Sequence, residues 1–230
     1  VRLSRRLDDE RLSYGYHRWE VLAAFVNGLT LIALVGWILL EAWERLNTPQ
    51  TMLPLPALAV ASVGFIVNIV AYRWLHAHQD SAAVRSAALH VLGDLLGSVA
   101  AIAAALTVWF TGWTYADPLL ALVIATILGR GAWRVLKEAT HILLEGVPDG
   151  VDLKKIARIL TERVPGVNGV HHVHAWALTP QKPLLTLHAS VDEPADLSQV
   201  MRNIKRLLVE EFGIEHSTVQ VDYGECPDND

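Results

Sequence analysis

The sequence predicts a membrane all-α bundle of four spanning helices followed by a small α+β domain, αββαβ in order and ferredoxin-like. Three observations carry this expectation. Mean hydropathy is +0.31 over 230 residues, and 52% of them are hydrophobic, high for a chain that folds in water. Uncharged runs extend from Val21 to Leu40, Leu46 to Tyr72 and Leu95 to Ala116, each long enough to cross a hydrocarbon core of about 30 Å. Beyond Gly150 the composition turns hydrophilic, with twelve acids against eight bases from 151 to 230, and amphipathic patterns replace the apolar runs.

Taken in order, residues 1–18 form a charged segment, VRLSRRLDDERLSYGYHR, expected to be a cytoplasmic loop. Its start at valine reads as the inside of a longer protein. The transmembrane domain is placed at 19–145, with helices at about 19–43, 53–75, 82–110 and 117–138. The fourth apolar run, PLLALVIATILG, is short before Arg130, and spans if AWRVL continues the helix with snorkelling Arg130 and Arg134. Asp117-Pro118 offers an N-cap acceptor followed by a proline suited to the first turn. Trp37, Trp43, Trp74, Trp109, Trp113 and Trp133 fall near predicted helix ends and suit interfacial belts.

Four spans put both ends on one side. Arginine and lysine concentrate in the opening segment, in the loop after the second helix and where the fourth helix exits, while the other two loops contain only Arg45. Both termini are therefore expected in the cytoplasm of a multi-pass protein, in a bacterial-type inner membrane.

The cytoplasmic domain is placed at 146–223, with a tail at 224–230. DLKKIARILTERV has Leu153, Ile156, Ile159, Leu160 and Val164 at helical spacing, and Pro165-Gly166 ends it. GVHHVHAWAL and LLTLHASVD read as strands around the turn TPQKP; DLSQVMRNIKRLLVEEFG is a second amphipathic helix, and STVQVDY a last strand. A net charge of −5, without a basic stripe, excludes nucleic acid as a partner. The single cysteine, Cys226, excludes an intramolecular disulfide framework.

The chemistry concentrates in two places. His90 and Asp94 lie four residues apart in SAALHVLGDLLGSVAAIAAALTVWFTG, where Asp94 is the only formal charge, so both project from one helix face. An ionisable residue inside a span marks a functional site by default. Imidazole nitrogen with carboxylate oxygen suits Zn2+ and its neighbours, and the lack of thiolates argues against copper(I). The bland alternative is a hydrogen-bonded pair joining helices, the role also given to Glu41, Asn27 and Asn68. Gly93 and Gly97 would let a neighbouring helix come close. In the tail domain, strict alternation puts His172, His174 and Trp176 on one face of the first strand and His171 on the other. His171, His188 of the second strand and Asp222 of the last can then converge on one sheet face. His216 and Cys226 are secondary candidates. The loop residues His76, His78 and Asp80 are read as solvated.

YGYHRWE, WILLEAWERL, HVLGDLLGS, ADP, HILLEG, VHHVHAW and HSTVQVD, in this order over essentially the whole chain, resemble the cation diffusion facilitator family of membrane zinc and divalent-metal exporters. The resemblance implies a homodimer of six-helix subunits that exchanges a metal ion for protons and packs its cytoplasmic domains together. It implies that His90 and Asp94 are the fifth-helix half of the transport site, and that the family's first two helices, with the other ligands, are lacking. It further implies regulatory zinc at His171, His188 and Asp222, and a variable metal site near Asp8, Asp9 and Tyr16, where Tyr16 replaces a histidine of some relatives and His17 is adjacent. The expected function is divalent cation efflux, Zn2+ first and other divalent metals next, by proton antiport across membrane lipid. The alternative is a transport-inactive, membrane-anchored metal-sensing or dimerisation module. An intramembrane metalloenzyme lacks the third intramembrane ligand and the HExxH that catalytic zinc would call for, so no enzyme is expected.

Overall fold

A computed structural model of the chain describes residues 12–48, 53–76 and 82–224, and the side chains of these except 75–76, 82–90, 92 and 93. Asp8, Asp9, His78, Asp80 and Cys226 lie outside the described residues. The elements are α1 (Arg18–Asn47), α2 (Pro54–His76), α3 (Ala82–Thr111), α4 (Ala116–Leu143), α5 (Leu153–Arg163), β1 (Val167–Ala177), β2 (Pro183–Val191), α6 (Leu197–Phe212) and β3 (His216–Tyr223). Packing divides the chain into two units, Leu29–Trp133 on the one hand and Val1–Gly28 with Arg134–Asp230 on the other.

Each of α1 to α4 is long and apolar enough to cross a membrane. Large apolar side chains along them face outward, among them Trp37, Val60 and Phe110, and such surface needs lipid or other helices to cover it. The six tryptophans assigned to belts are all at least half exposed. Helix α4 runs past its expected end at 138 to Leu143, because the apolar contacts continue: Ala139 and Ile142 bury against Val21 of α1.

Within the unit Leu29–Trp133, α2 and α3 approach where Gly64 faces Ser98, whose hydroxyl would meet a Cβ there at 3.7 Å. Gly97, expected to let a neighbouring helix come close, has nothing among the described residues within 4 Å of a Cβ position. Asp117 also differs from its assigned capping role. It lies in the first turn of α4, and its Oδ2 accepts from Arg45 Nη1 at 2.7 Å while Arg45 Nη2 engages Glu41 one turn back on α1. The unlike charges at the two helix ends decide the geometry, so Glu41 is an ion-pair partner rather than a neutral packing donor.

The other unit contains the αββαβ domain. Asp152 caps α5 by accepting from the Lys155 amide at 3.1 Å, and Asp196 caps α6 by accepting from the Gln199 amide at 3.0 Å. Gly213, at φ 65°, ends α6 in the left-handed region open to glycine. The sheet order is β1-β2-β3, antiparallel between β1 and β2 and parallel between β2 and β3, with α6 as the crossover a parallel pair requires. Ile156 and Leu160 of α5, and Ile204 and Leu208 of α6, bury against Leu185, Leu187 and Ala189 of β2. One face of the sheet is thus closed by helices, and the even-numbered β2 residues, Thr186, His188 and Ser190, look the other way.

The link from α4 to the domain is a built turn. The amide of Gly146 donates to His141 O at 2.9 Å and that of Glu145 to Ile142 O at 3.1 Å, the double closure of a helix C-terminus around a left-handed residue. Here that residue is Glu145, at φ 58°, a conformation glycine usually supplies. The His141 ring folds over Gly146, and its Nε2 donates to the Val147 carbonyl at 2.7 Å.

Candidate metal centre

The register of the sheet builds this site. His171 pairs with His188 across β1 and β2, and Asp222 of β3 stands opposite Ser190, one position along the same face from Gln220, which lies opposite His188. One donor atom from each of His171, His188 and Asp222 lies within 4.8 Å of the others. His188 Nδ1 is 3.7 Å from Asp222 Oδ2, too long for a hydrogen bond and near the separation of two ligands on one small cation. Both side chains are about five-sixths buried, at 16% and 15% exposed. Gln220 Nε2 donates to Asp222 Oδ1 at 3.1 Å and Oδ2 at 3.3 Å, orienting the carboxylate as an outer partner does.

A local irregularity changes one reading of the faces. His174 pairs with Thr186, so three steps along β1 match two along β2, and His172 is the extra residue, at φ 47°. Such a bulge reverses the alternation beyond it. His174 and Trp176 therefore share the face of His171 and His188, contrary to strict alternation, while Val173 and Ala175 turn to the core. His172 itself is carried to the cluster, its ring centroid 5.1 Å from that of His188 and 5.3 Å from that of His171. Sequence reasoning missed His172; the adjacent pair His171-His172 in a predicted strand was the only signal for it.

The donor set fits a metal ion. His171 Nε2 is buried without a hydrogen-bond partner, a costly arrangement for a polar atom that a metal bond would relieve. Two imidazoles, a carboxylate and a third imidazole alongside form a nitrogen-rich set suited to zinc. His216 is not part of it. It opens β3 opposite Leu184, away from the Gln220–His188 register, and its ring meets Tyr14 edge-on at 5.9 Å. His17 is likewise occupied, its Nε2 2.9 Å from Lys182 Nζ, and an ammonium at that distance opposes a cation.

In the membrane-spanning part, α3 carries His90 and Asp94 four residues apart, about 6 Å along the axis. The His90 side chain lies outside the described ones. Asp94 contributes its main-chain carbonyl to the Ser98 hydroxyl at 2.9 Å.

Comparison with known proteins agrees along the chain. Residues 1–144 match the cation efflux transmembrane domain, and residues 148–223 the cytoplasmic domain of cation efflux proteins. The zinc transporter ZitB of Pectobacterium atrosepticum is 43% identical over 100% of this chain and 72% of its own length. The metal cation efflux system protein CzcD of Cupriavidus metallidurans is 37% identical over 100% of this chain and 73% of its own. Among solved structures, the metal-bound C-terminal domain of a CzcD transporter is 34% identical, covering 31% of this chain and 99% of its own, at TM-score 0.30. With both family domains matched in order, the chain belongs to the cation diffusion facilitator, or cation efflux, family of multi-pass membrane transporters.

Proposed function

We propose that this protein exports divalent cations from the cytoplasm, Zn2+ foremost, in exchange for protons, and that it works as a homodimer joined through its cytoplasmic domain. The observation that carries this reading is similarity over the entire chain to proteins named zinc transporter, at 43% and 41% identity. A Bacillus subtilis relative, 34% identical, is named a cadmium, cobalt and zinc/H(+)-K(+) antiporter, which supports proton exchange and a wider choice of metal. The cytoplasmic placing of both chain ends rests on the arginine and lysine distribution.

His90 and Asp94 present nitrogen and oxygen donors to the cation inside the apolar helix. Metal and proton compete for the same lone pairs, so a deprotonated pair takes the ion from the cytoplasm and protonation on the far side releases it. Imidazole suits the exchange because it gains and loses its proton near neutral pH. The Asp94 carboxylate offsets part of the ion's desolvation. The cation leaves chemically unchanged and only protons move on and off the ligands, so the protein is a carrier and not an enzyme. His171, His188 and Asp222 hold a regulatory zinc ion that links the strands of the cytoplasmic domain.

Proteoliposomes with a zinc dye inside provide the test. An imposed proton gradient should drive zinc across the bilayer, and His90→Ala and Asp94→Ala should each abolish that flux while the protein stays folded. Undiminished transport in both variants would sink the assignment. A chain that binds zinc but moves none would be a membrane-anchored metal sensor instead.

A further inference from the structure

A cavity of about 730 Å³ opens within the unit that holds the sheet domain, on the sheet face that carries the histidine cluster but further along β1. Tyr14, Arg18 and Trp19 line it from the chain before α1 and the first turn of that helix. Glu145 reaches it from the exit of α4, and His174 and Trp176 from β1. The size is that of a small-molecule site.

Its charges are arranged for a particular kind of ligand. Arg18 Nη2 donates to Glu145 Oε1 at 2.8 Å, Arg18 Nε is enclosed with no hydrogen-bond partner, and the two side chains are 38% and 61% exposed. One cation and one anion therefore stand side by side on an accessible wall. An anion alone would find Arg18 already partly neutralised by Glu145, and a cation alone would find Glu145 partly neutralised by Arg18. A zwitterion satisfies both, its anionic end on the guanidinium fork and its cationic end on the carboxylate. The rings of Trp19, Trp176 and Tyr14 add faces that attract an ammonium group. A primary ammonium suits Glu145 better than a quaternary one, because it retains N–H donors. Arg18 and Trp19 begin a helix long and apolar enough to cross a membrane, so a lipid headgroup is a ligand that the cavity would meet if that helix spans.

We propose that this cavity binds the phosphoethanolamine headgroup of a membrane lipid, phosphate on Arg18 and ammonium on Glu145 against the indole rings. The ligand would join the start of α1 to the exit of α4 and to β1, three segments that meet at the cavity.

The test is calorimetric titration of the delipidated chain in maltoside micelles with short-chain phosphatidylethanolamine, phosphatidylglycerol and phosphatidylcholine, and with soluble glycerophosphoethanolamine. Phosphatidylethanolamine should bind saturably and at least tenfold more tightly than the other two lipids. Arg18→Ala and Glu145→Gln should each weaken it at least tenfold, whereas Phe110→Ala on α3 should not. Trp176→Leu, which leaves the ion pair intact, should weaken it severalfold and guards against misfolding of the charge variants; melting curves check all four. Tighter binding of the lipid than of the soluble headgroup supports a lipid ligand. Equal binding of those two, equal affinity for phosphatidylglycerol, no saturable binding, or charge variants that bind like the parent would overturn the proposal.

Discussion

His188 stands on the central strand, flanked by a ligand candidate from each edge strand, so it would govern the proposed metal centre more than either neighbour. Replacing it by alanine should lower zinc affinity of the cytoplasmic domain by at least a hundredfold, by the loss of one of three donors, as read by competition with a zinc chelator of known affinity. Gln220→Ala should weaken binding less, by about tenfold, because it removes only the orienting hydrogen bonds to Asp222. At the exit of α4, a Cβ on Gly146 would overlap the His141 ring. Gly146→Ala should therefore destabilise the fold by about 1–3 kcal/mol, as overpacking does. Adding His141→Ala should recover part of that loss in a double-mutant cycle followed by thermal melting. His188 and Asp222 were legible in the sequence because each opposes the apolar set of its own strand, whereas His171 alternates with Val173 and Ala175 and is turned to the opposite face from them by the bulge. The faces of His172, His174 and Trp176 were not, because alternation is a rule for an unbroken strand and gives no sign of an inserted residue.

Among the elements, β1 is shaped by its bulge. Deleting His172, the extra residue, would restore strict alternation with His171, His174 and Trp176 still outward and Val173 and Ala175 still in the core, so the expected outcome is that β1 keeps its protected amides in hydrogen exchange while the cluster loses one imidazole. The helices α5 and α6 depend less on any one group: Asp152→Ala or Asp196→Ala should cost about 1 kcal/mol, the worth of an N-cap, and each loss should appear as fraying of the first turn in the same measurement. Their existence was readable from apolar residues at helical spacing, and the capping role of Asp152 and Asp196 is a finding of the structure. The reach of α4 to Leu143 was harder to read, since arginines and a lysine interrupt its hydropathy, and only the contacts of Ala139 and Ile142 with Val21 account for the added turns. Arg45 could be read as a loop charge, but its two carboxylate partners come from different helices. Such a pairing is a tertiary fact that local pattern does not hold.

For the molecule as a whole, a metal held at the proposed site would be linked to stability. An ion that binds the folded domain and not the unfolded chain adds RT ln(1 + [L]/Kd), about 2.7 kcal/mol at a hundredfold excess over Kd. Chelation should therefore lower the melting temperature of the cytoplasmic domain, and zinc should restore it. The sign with pH follows from competition: protons occupy the imidazole lone pairs as pH falls, so zinc stabilisation should fade on acidification and return on neutralisation. Thermal scans with and without zinc at several pH values check both. If zinc raises the melting temperature equally in the parent and in a His171→Ala, His188→Ala double variant, the stabilising ion sits elsewhere.

The sheet order β1-β2-β3 has a kinetic consequence. Without an ion, either outer strand can peel from β2 on its own, β1 at its hairpin and β3 after the crossover through α6. Donors from all three strands on one ion would abolish such independent departures, since neither edge could leave without breaking a coordinate bond. Proteases would then meet a domain that opens in one concerted event, and its cutting rate would fall as zinc is added.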